Sequence, residues 1–424
     1  MSEQSIQDHL YKDYTEPVRD PLWKHIYLSP GLIRIMQTRE VQKLSRIKQL
    51  GPAHLVYPGA THTRLNHSIG VFHIAKRMIS ALLRYSDCAQ MTVDGVKAFL
   101  TACFLHDLGH FPYAHSLKEL PLKEHESLTA EILLEKPLRE IIRDDVGADP
   151  RMVAAIVDEN IEHQSSEEIL FFRNLLSGVL DPDKLDYLNR DAYFCGVPYG
   201  IQDIDFIISQ MRPHRIQGIA ISEKGLAAVE NVLFSKYLMY KSVFWHKAVR
   251  IATAMIKKAI LLGMEDGYIR EEMLYRIDDD EFYRIFSDIR YAPFELIQMV
   301  SRRELYKAVV EIPISALGHL PKDTFSIAKR DNLEKEIINR IADETKQKVH
   351  REEVILDIPE PISFEIDIPI HGGESEQSFS ESMTVFTSPV VSGFTRNLRK
   401  IRLIVPQHIA QKLDEPVRVL PWTL

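Results

Sequence analysis

Residues 104–115 read FLHDLGHFPYAH and close the mostly apolar stretch 92–108. An apolar helix of that kind belongs at the centre of a fold, and Gly109 and Pro112 break it. His106 and Asp107 therefore stand at the end of a buried helix, with His110 four residues after His106 on the same helical face. Polar groups at such a position need partners, and a metal ion is an effective one. Histidine is concentrated around this segment. Eight of the 17 histidines fall between His54 and His125, where an even spread would place about three.

Two His and two Asp in all would leave coordination positions open for water, as a catalytic metal requires. His67, at the helix start in THTRLNHS, is one candidate for completing the set. The other comes from DPDKLDYLNRD, where spacing alone does not choose among Asp181, Asp183 and Asp186. Asp181 followed by Pro182 reads as an N-cap and first helical residue. An isolated His-Asp pair would more often be a surface or capping feature. Four pieces in order within 120 residues argue against that here. The donor set suits Fe, Mn, Zn, Ni or Mg and does not distinguish them.

The ordered pieces H…HD…D, with Arg64 upstream of His67, resemble the HD-domain phosphohydrolases. IKQLG at 47–51, VYPGATHTRLNHSIGV at 56–71, HDLGH at 106–110 and DKLDYLNRD at 183–191 resemble their dNTP triphosphohydrolase branch, as does DPLWKHIYLSP at 20–30. The similarity spans about residues 15–260 and is diffuse beyond. It implies a mainly α-helical HD domain and a divalent metal held by His67, His106, Asp107 and Asp183. It implies hydrolysis of a dNTP to deoxynucleoside and triphosphate. Arg64, Lys184 and Tyr187 would contact phosphate, Asp191 would lie beside the sugar, and Gln49 and Leu50 would lie near the deoxyribose. Lys236, Tyr240 and Phe244, spaced by four, match a face that binds phosphate and sugar, but with altered residue types. Lys236 keeps a charge without an arginine's bidentate fork. From the residues alone, a core aromatic at Tyr187, a solvated Lys184 and a helix core stripe at Lys236 and Tyr240 are equally good readings.

Departure of the 5′-oxygen needs a proton donor. The resemblance implies His125 as that acid, with His110 orienting it or the phosphate and His115 near the phosphates. The neighbouring Glu126 is expected to raise the His125 pKa. The vertebrate member of the branch has an Asp three residues after its equivalent of His115. Lys118 stands there in this chain, and Glu126 is a candidate substitute in the proton relay. His54, His62 and His73 read as packing residues. The branch also implies a homodimer or homotetramer with a nucleotide effector between subunits. The guanine-reading positions of its vertebrate member carry Gln37 and Ser45 here, which leaves open another effector or a constitutive enzyme.

With 52 Lys+Arg against 60 Asp+Glu, the net charge of −8 argues against a dedicated duplex-DNA binder. A nucleic-acid binder or non-catalytic nucleotide sensor ranks last, behind a phosphohydrolase acting on another phosphoester. Three scattered cysteines, Cys88, Cys103 and Cys195, build no disulfide scaffold and suit a reducing compartment. The N-terminus MSEQSIQDHLYKDYTEP lacks the apolar core of a leader, and the apolar run around 98–105 is far short of the ~20 residues of a membrane span. The expectation is a cytoplasmic protein.

The organisation predicted is an α-helical core over 1–345 and an α+β C-terminal region over 346–424. Single helices are expected over 32–50, 65–84 and 225–263, with others near 125–135, 165–178 and 182–195. Strands are expected over 215–222, 354–370 and 385–405, a Gly/Ser/Glu loop over 371–382, and a short helix over 406–413.

Overall fold

The computed structural model describes residues 5–85, 91–317, 325–372, 377–382 and 384–421. Cys88 lies outside them, as does part of the 371–382 loop. The protein is mainly α-helical, with small sheets and a strand-containing C-terminal region.

Three helices position the site. Arg64–Leu82 starts with a capping box, Thr63 and Asn66 each satisfying the other's backbone N–H. Val93–Leu105 starts at Thr92, whose hydroxyl accepts from Gly95 N, and its side chains from Ala98 to Leu105 are all buried. Pro182–Cys195 is capped by Asp181 and stopped by Gly196 at φ 66°. The helix Arg64–Leu82 packs against both of the others. Behind the His-Asp turn, a Cβ on Gly109 would strike the backbone of His125 and Thr129. Only glycine therefore lets the helix His125–Leu133 approach so closely.

β1 (Glu16–Asp20) and β2 (Lys24–Leu28) form an antiparallel hairpin. β3 (Met211–His214), β4 (Gly218–Ser222), β7 (Pro369–His371) and β8 (Gln377–Ser378) form a second sheet, in which β4 and β7 are parallel. The third sheet has the order β5 (Lys307–Pro313), β9 (Lys400–Val405), β6 (Ile355–Asp357). Residues on both sides of position 345 thus share both larger sheets.

The helices expected near 125–135, 165–178 and 182–195 form as His125–Leu133, Ser166–Leu176 and Pro182–Cys195. Five expectations need correction. Of the strands expected over 354–370, only Ile355–Asp357 and Pro369–His371 are extended. The stretch 32–50 is not one helix but Pro30–Met36, Arg39–Gln42 and a 3₁₀ turn Lys43–Arg46. Here Thr38, Gln42 and Ser45 side chains hydrogen-bond nearby backbone carbonyls and compete with the helix ladder. The run 225–263 breaks into Leu226–Met239, a π turn Tyr240–Phe244, and Lys247–Glu265, whose first turn His246 caps. The 215–222 strand is half of a hairpin, turned just before Gly218 at φ 75°. In 385–405, Thr387 and Pro389 start a helix, Ser388–Leu398, and only β9 is extended.

Candidate metal centre and active site

The turn after Val93–Leu105 presents His106 and Asp107 to the first turn of Arg64–Leu82. His106 Nδ1–H donates to the Cys103 carbonyl at 3.0 Å, which leaves Nε2 as a free ligand atom. That atom lies 3.4 Å from Asp107 Oδ1 and 3.9 Å from Asp183 Oδ1. His67 donates from Nδ1 to Asp186 Oδ2 at 2.9 Å, and its Nε2 lies 2.9 Å from Asp183 Oδ1 and 4.0 Å from Asp107 Oδ2. Single ligand atoms of His67, His106 and Asp107 all lie within 4.8 Å of one another. Each imidazole is thus oriented through Nδ1 and turns Nε2 to a common point, the arrangement metal-binding histidines require. Burial works against protonation of His67, yet Asp183 and Asp186 on its two nitrogens raise it to about 10. The position between Nε2 and the carboxylates calls for a positive charge, which a divalent ion supplies better than a proton. These residues fit a metal.

The three aspartates of one helix have separate surroundings. Asp183 faces the cluster. Asp181 caps the helix and holds Lys184 Nζ at 2.6 Å. Asp186 sits behind His67, where it also accepts from Trp23 Nε1 at 2.6 Å and pairs with the Arg190 guanidinium. It carries no ligand role but fixes one. Asp186→Asn is expected to weaken Mn²⁺ binding by roughly 10–100-fold while the circular dichroism stays native. A metal titration checks this, and unchanged affinity counts against the orienting role.

Arg64 donates to Asp107 Oδ2 at 2.7 Å, and its Nε is buried without a partner, as is Gln49 Oε1. Beyond Asp107 stand three histidines. His110 Nδ1 faces Asp107 Oδ1 at 3.2 Å without hydrogen-bond alignment, and its Nε2 is 3.1 Å from His115 Nε2. The His110 and His125 rings are 3.9 Å apart between centroids. Burial and Arg64 push His115 down to about 4. The expectation for His125 needs correction. Glu126 Oε2 does lie 3.0 Å from its Nδ1, but burial and His115 outweigh that carboxylate and lower His125 to about 2. All three rings are neutral here.

The remaining predicted residues line the Pro182–Cys195 and Leu226–Met239 helices and the turns beside them. Tyr187 is packed edge-on to Phe244 at 6.3 Å, and Tyr240 to Phe244 at 5.0 Å. Asp191 accepts from His62 Nε2 at 2.8 Å, so His62 is more than a packing residue: it positions that carboxylate. Gln49 is tied by its backbone N–H to the His62 carbonyl at 3.0 Å, and Leu50 opens the following turn, partly buried. Lys236 donates to the Ser363 carbonyl at 2.8 Å. Sequence reasoning weighed Asp186 only as a possible ligand, and it missed Arg190, Lys43 and Glu365. The i,i+4 spacing of Asp186 and Arg190 was a usable signal. Lys43, whose ammonium donates to the Leu108 and His110 carbonyls, gave none.

Residues 64–190 match the HD domain family and residues 203–392 the HD associated region. The uncharacterized protein YwfO of Bacillus subtilis is 35% identical over 256 residues, 59% of this chain and 57% of that protein. The human deoxynucleoside triphosphate triphosphohydrolase SAMHD1 is 27% identical over 357 residues, 72% of this chain and 56% of that protein. The matches thus span somewhat over half the length of these curated relatives. The crystal structure of a hypothetical protein from Aquifex aeolicus superposes with a TM-score of 0.71 at 26% identity, covering 93% of this chain and 98% of that one. No helix among the described residues is long and apolar enough to cross a membrane. With an HD domain built around a His/Asp cluster and followed by its associated region, the chain belongs to the HD-domain phosphohydrolases and is similar to their dNTP triphosphohydrolase branch.

Proposed function

We propose that this chain is a metal-dependent dNTP triphosphohydrolase, converting a dNTP and water to deoxynucleoside and inorganic triphosphate. The observation that carries the reading is the meeting of His67, His106, Asp107 and Asp183 with Arg64 and the His110/His115/His125 wall. Similarity to SAMHD1 supports the substrate class. The homodimer or homotetramer and the nucleotide effector implied by the family resemblance belong to the same proposal.

His67, His106, Asp107 and Asp183 would hold the metal. When bound, a divalent ion supplies charge for the phosphate and lowers the pKa of a water. Arg64, with a buried and unpartnered Nε–H, is poised to donate to an α-phosphate oxygen. A new P–O bond forms from water, which gives up a proton to solvent, and the P–O5′ bond breaks. The leaving 5′-oxygen takes a proton from the histidine wall, where His125 stands beside Glu126. A neutral His125 must first take that proton from solvent, and the charge of an incoming polyphosphate raises its affinity for one.

A second reading keeps the hydrolysis and changes the phosphoester. It is favoured by Lys236, whose ammonium is already engaged by the chain's own C-terminal region.

Chromatography of products after incubation with all four dNTPs and Mn²⁺, with and without GTP, tests the proposal. The expected products are deoxynucleosides and inorganic triphosphate, absent from a His106→Ala/Asp107→Ala control. Intact dNTPs in every lane would sink it, and turnover of a different phosphoester would establish the second reading.

A further inference from the structure

Residues 358–368 run without regular structure between β6 and β7 and return to the site from far along the chain. The stretch is anchored by Ile358, Phe364, Ile366 and Ile368, all buried. Glu365 Oε2 stands 3.2 Å from Lys184 Nζ and 3.8 Å from Lys236 Nζ. Its side chain is 43% exposed, so the carboxylate can swing into water while its backbone stays anchored.

Both lysines are otherwise spoken for. Lys184 donates to the Gly178 carbonyl at 2.9 Å and to Asp181 at 2.6 Å. Lys236 donates to the Ser363 carbonyl and lies 5.4 Å over the Phe364 ring. With Glu365 in place, three oxygens surround the Lys184 ammonium and a carboxylate charge stands beside that of Lys236. Arg64 is engaged separately, by Asp107.

Charge makes the same point. At the metal and lysine end, Arg64, Lys184 and Lys236 face Asp107, Asp181, Asp183 and Glu365. Even a divalent ion leaves one net positive charge for a triphosphate of about four negative ones. Release of Glu365 doubles that charge, frees a donor on Lys184 and removes the carboxylate beside Lys236.

We propose that Glu365 is a specificity-determining residue: an internal carboxylate holds Lys184 and Lys236 where phosphate oxygens would bind, and a polyphosphate must displace it. The inference rests on the nucleotide-phosphate site proposed above and adds what that site selects. A single phosphate, served by Arg64 and the metal, does not meet Glu365. A triphosphate does.

The test is calorimetric titration of inorganic triphosphate and of orthophosphate into the full chain and its Glu365→Gln variant, at fixed free Mn²⁺. Removing the competing charge is expected to tighten triphosphate binding about tenfold and to leave orthophosphate within about twofold. A Lys236→Gln variant is expected to weaken triphosphate alone. Unchanged triphosphate affinity in Glu365→Gln, an equal gain for both anions, or no triphosphate binding to either protein overturns the proposal. Binding of triphosphate needs no turnover. Intact dNTPs would therefore remove the proposed activity without altering this result, and hydrolysis with no Glu365→Gln effect would remove only the role of Glu365.

Discussion

The His106→Ala/Asp107→Ala variant is expected to lose tight divalent-metal binding and at least about three orders of magnitude of phosphohydrolase turnover. The substitution removes one imidazole and one carboxylate from a cluster whose ligand atoms converge within 4.8 Å. It also strips Arg64 of its 2.7 Å partner, so the guanidinium loses its fixed position. The fold should survive, since His106 stands at a helix end and the helix is held by its apolar side chains from Ala98 to Leu105. Metal titration, a turnover assay and circular dichroism together decide the matter. A variant that keeps metal affinity and rate would show that the cluster is structural.

The Arg190→Met variant is expected to lose about 3–5 kcal/mol of stability, the cost of leaving buried carboxylates without their cation. Arg190 is fully buried. It donates to Asp20 Oδ2 at 2.8 Å and to both oxygens of Asp186 at 2.8 and 2.9 Å. Burial works against ionisation of Asp186, but Arg190 and His67 hold its carboxyl well below the usual range. A depressed carboxyl pKa stabilises the fold above the unfolded value of about 4 and loses that contribution as pH falls. The gap between parent and variant should therefore be full near pH 7 and shrink under acid. Thermal unfolding at several pH values measures it, with a fall in Tm of about 3–6 °C at neutral pH. The Asp186→Asn/Arg190→Met pair should recover part of the loss, because it removes an orphaned charge. A loss under about 1 kcal/mol would mean that water reaches the pair.

The two variants probe one chain of contacts. Arg190 fixes Asp186, Asp186 fixes His67, and His67 faces Asp183. Metal affinity in Arg190→Met therefore reports how much of the site's geometry comes from a pair that never touches the ion.

Much of this was written locally. An apolar run stopped by Gly109 and Pro112 marks the helix end that carries His106 and Asp107, and Asp181-Pro182 marks the start of another. Caps, breakers and 3.6-residue periodicity act within a few residues, so a single sequence exposes them. The expectation of one helix over 225–263 failed because nothing local breaks it. His246 caps a new helix and the π turn Tyr240–Phe244 re-aims the side chains before it. The expectation of strands over 385–405 likewise missed the start signal at Thr387 and Pro389.

What the sequence by itself determined is the inventory: clustered histidines, paired aspartates and the helices that bear them. Tertiary structure alone decided which aspartate meets which nitrogen. Asp183 and Asp186 are three residues apart on one helix and take opposite nitrogens of the same imidazole. It also decided that His125 is neutral beside a carboxylate, because burial is a property of everything packed around it. And it brought Glu365 onto Lys184 across 181 residues, a contact set by how distant segments pack, which no local pattern records.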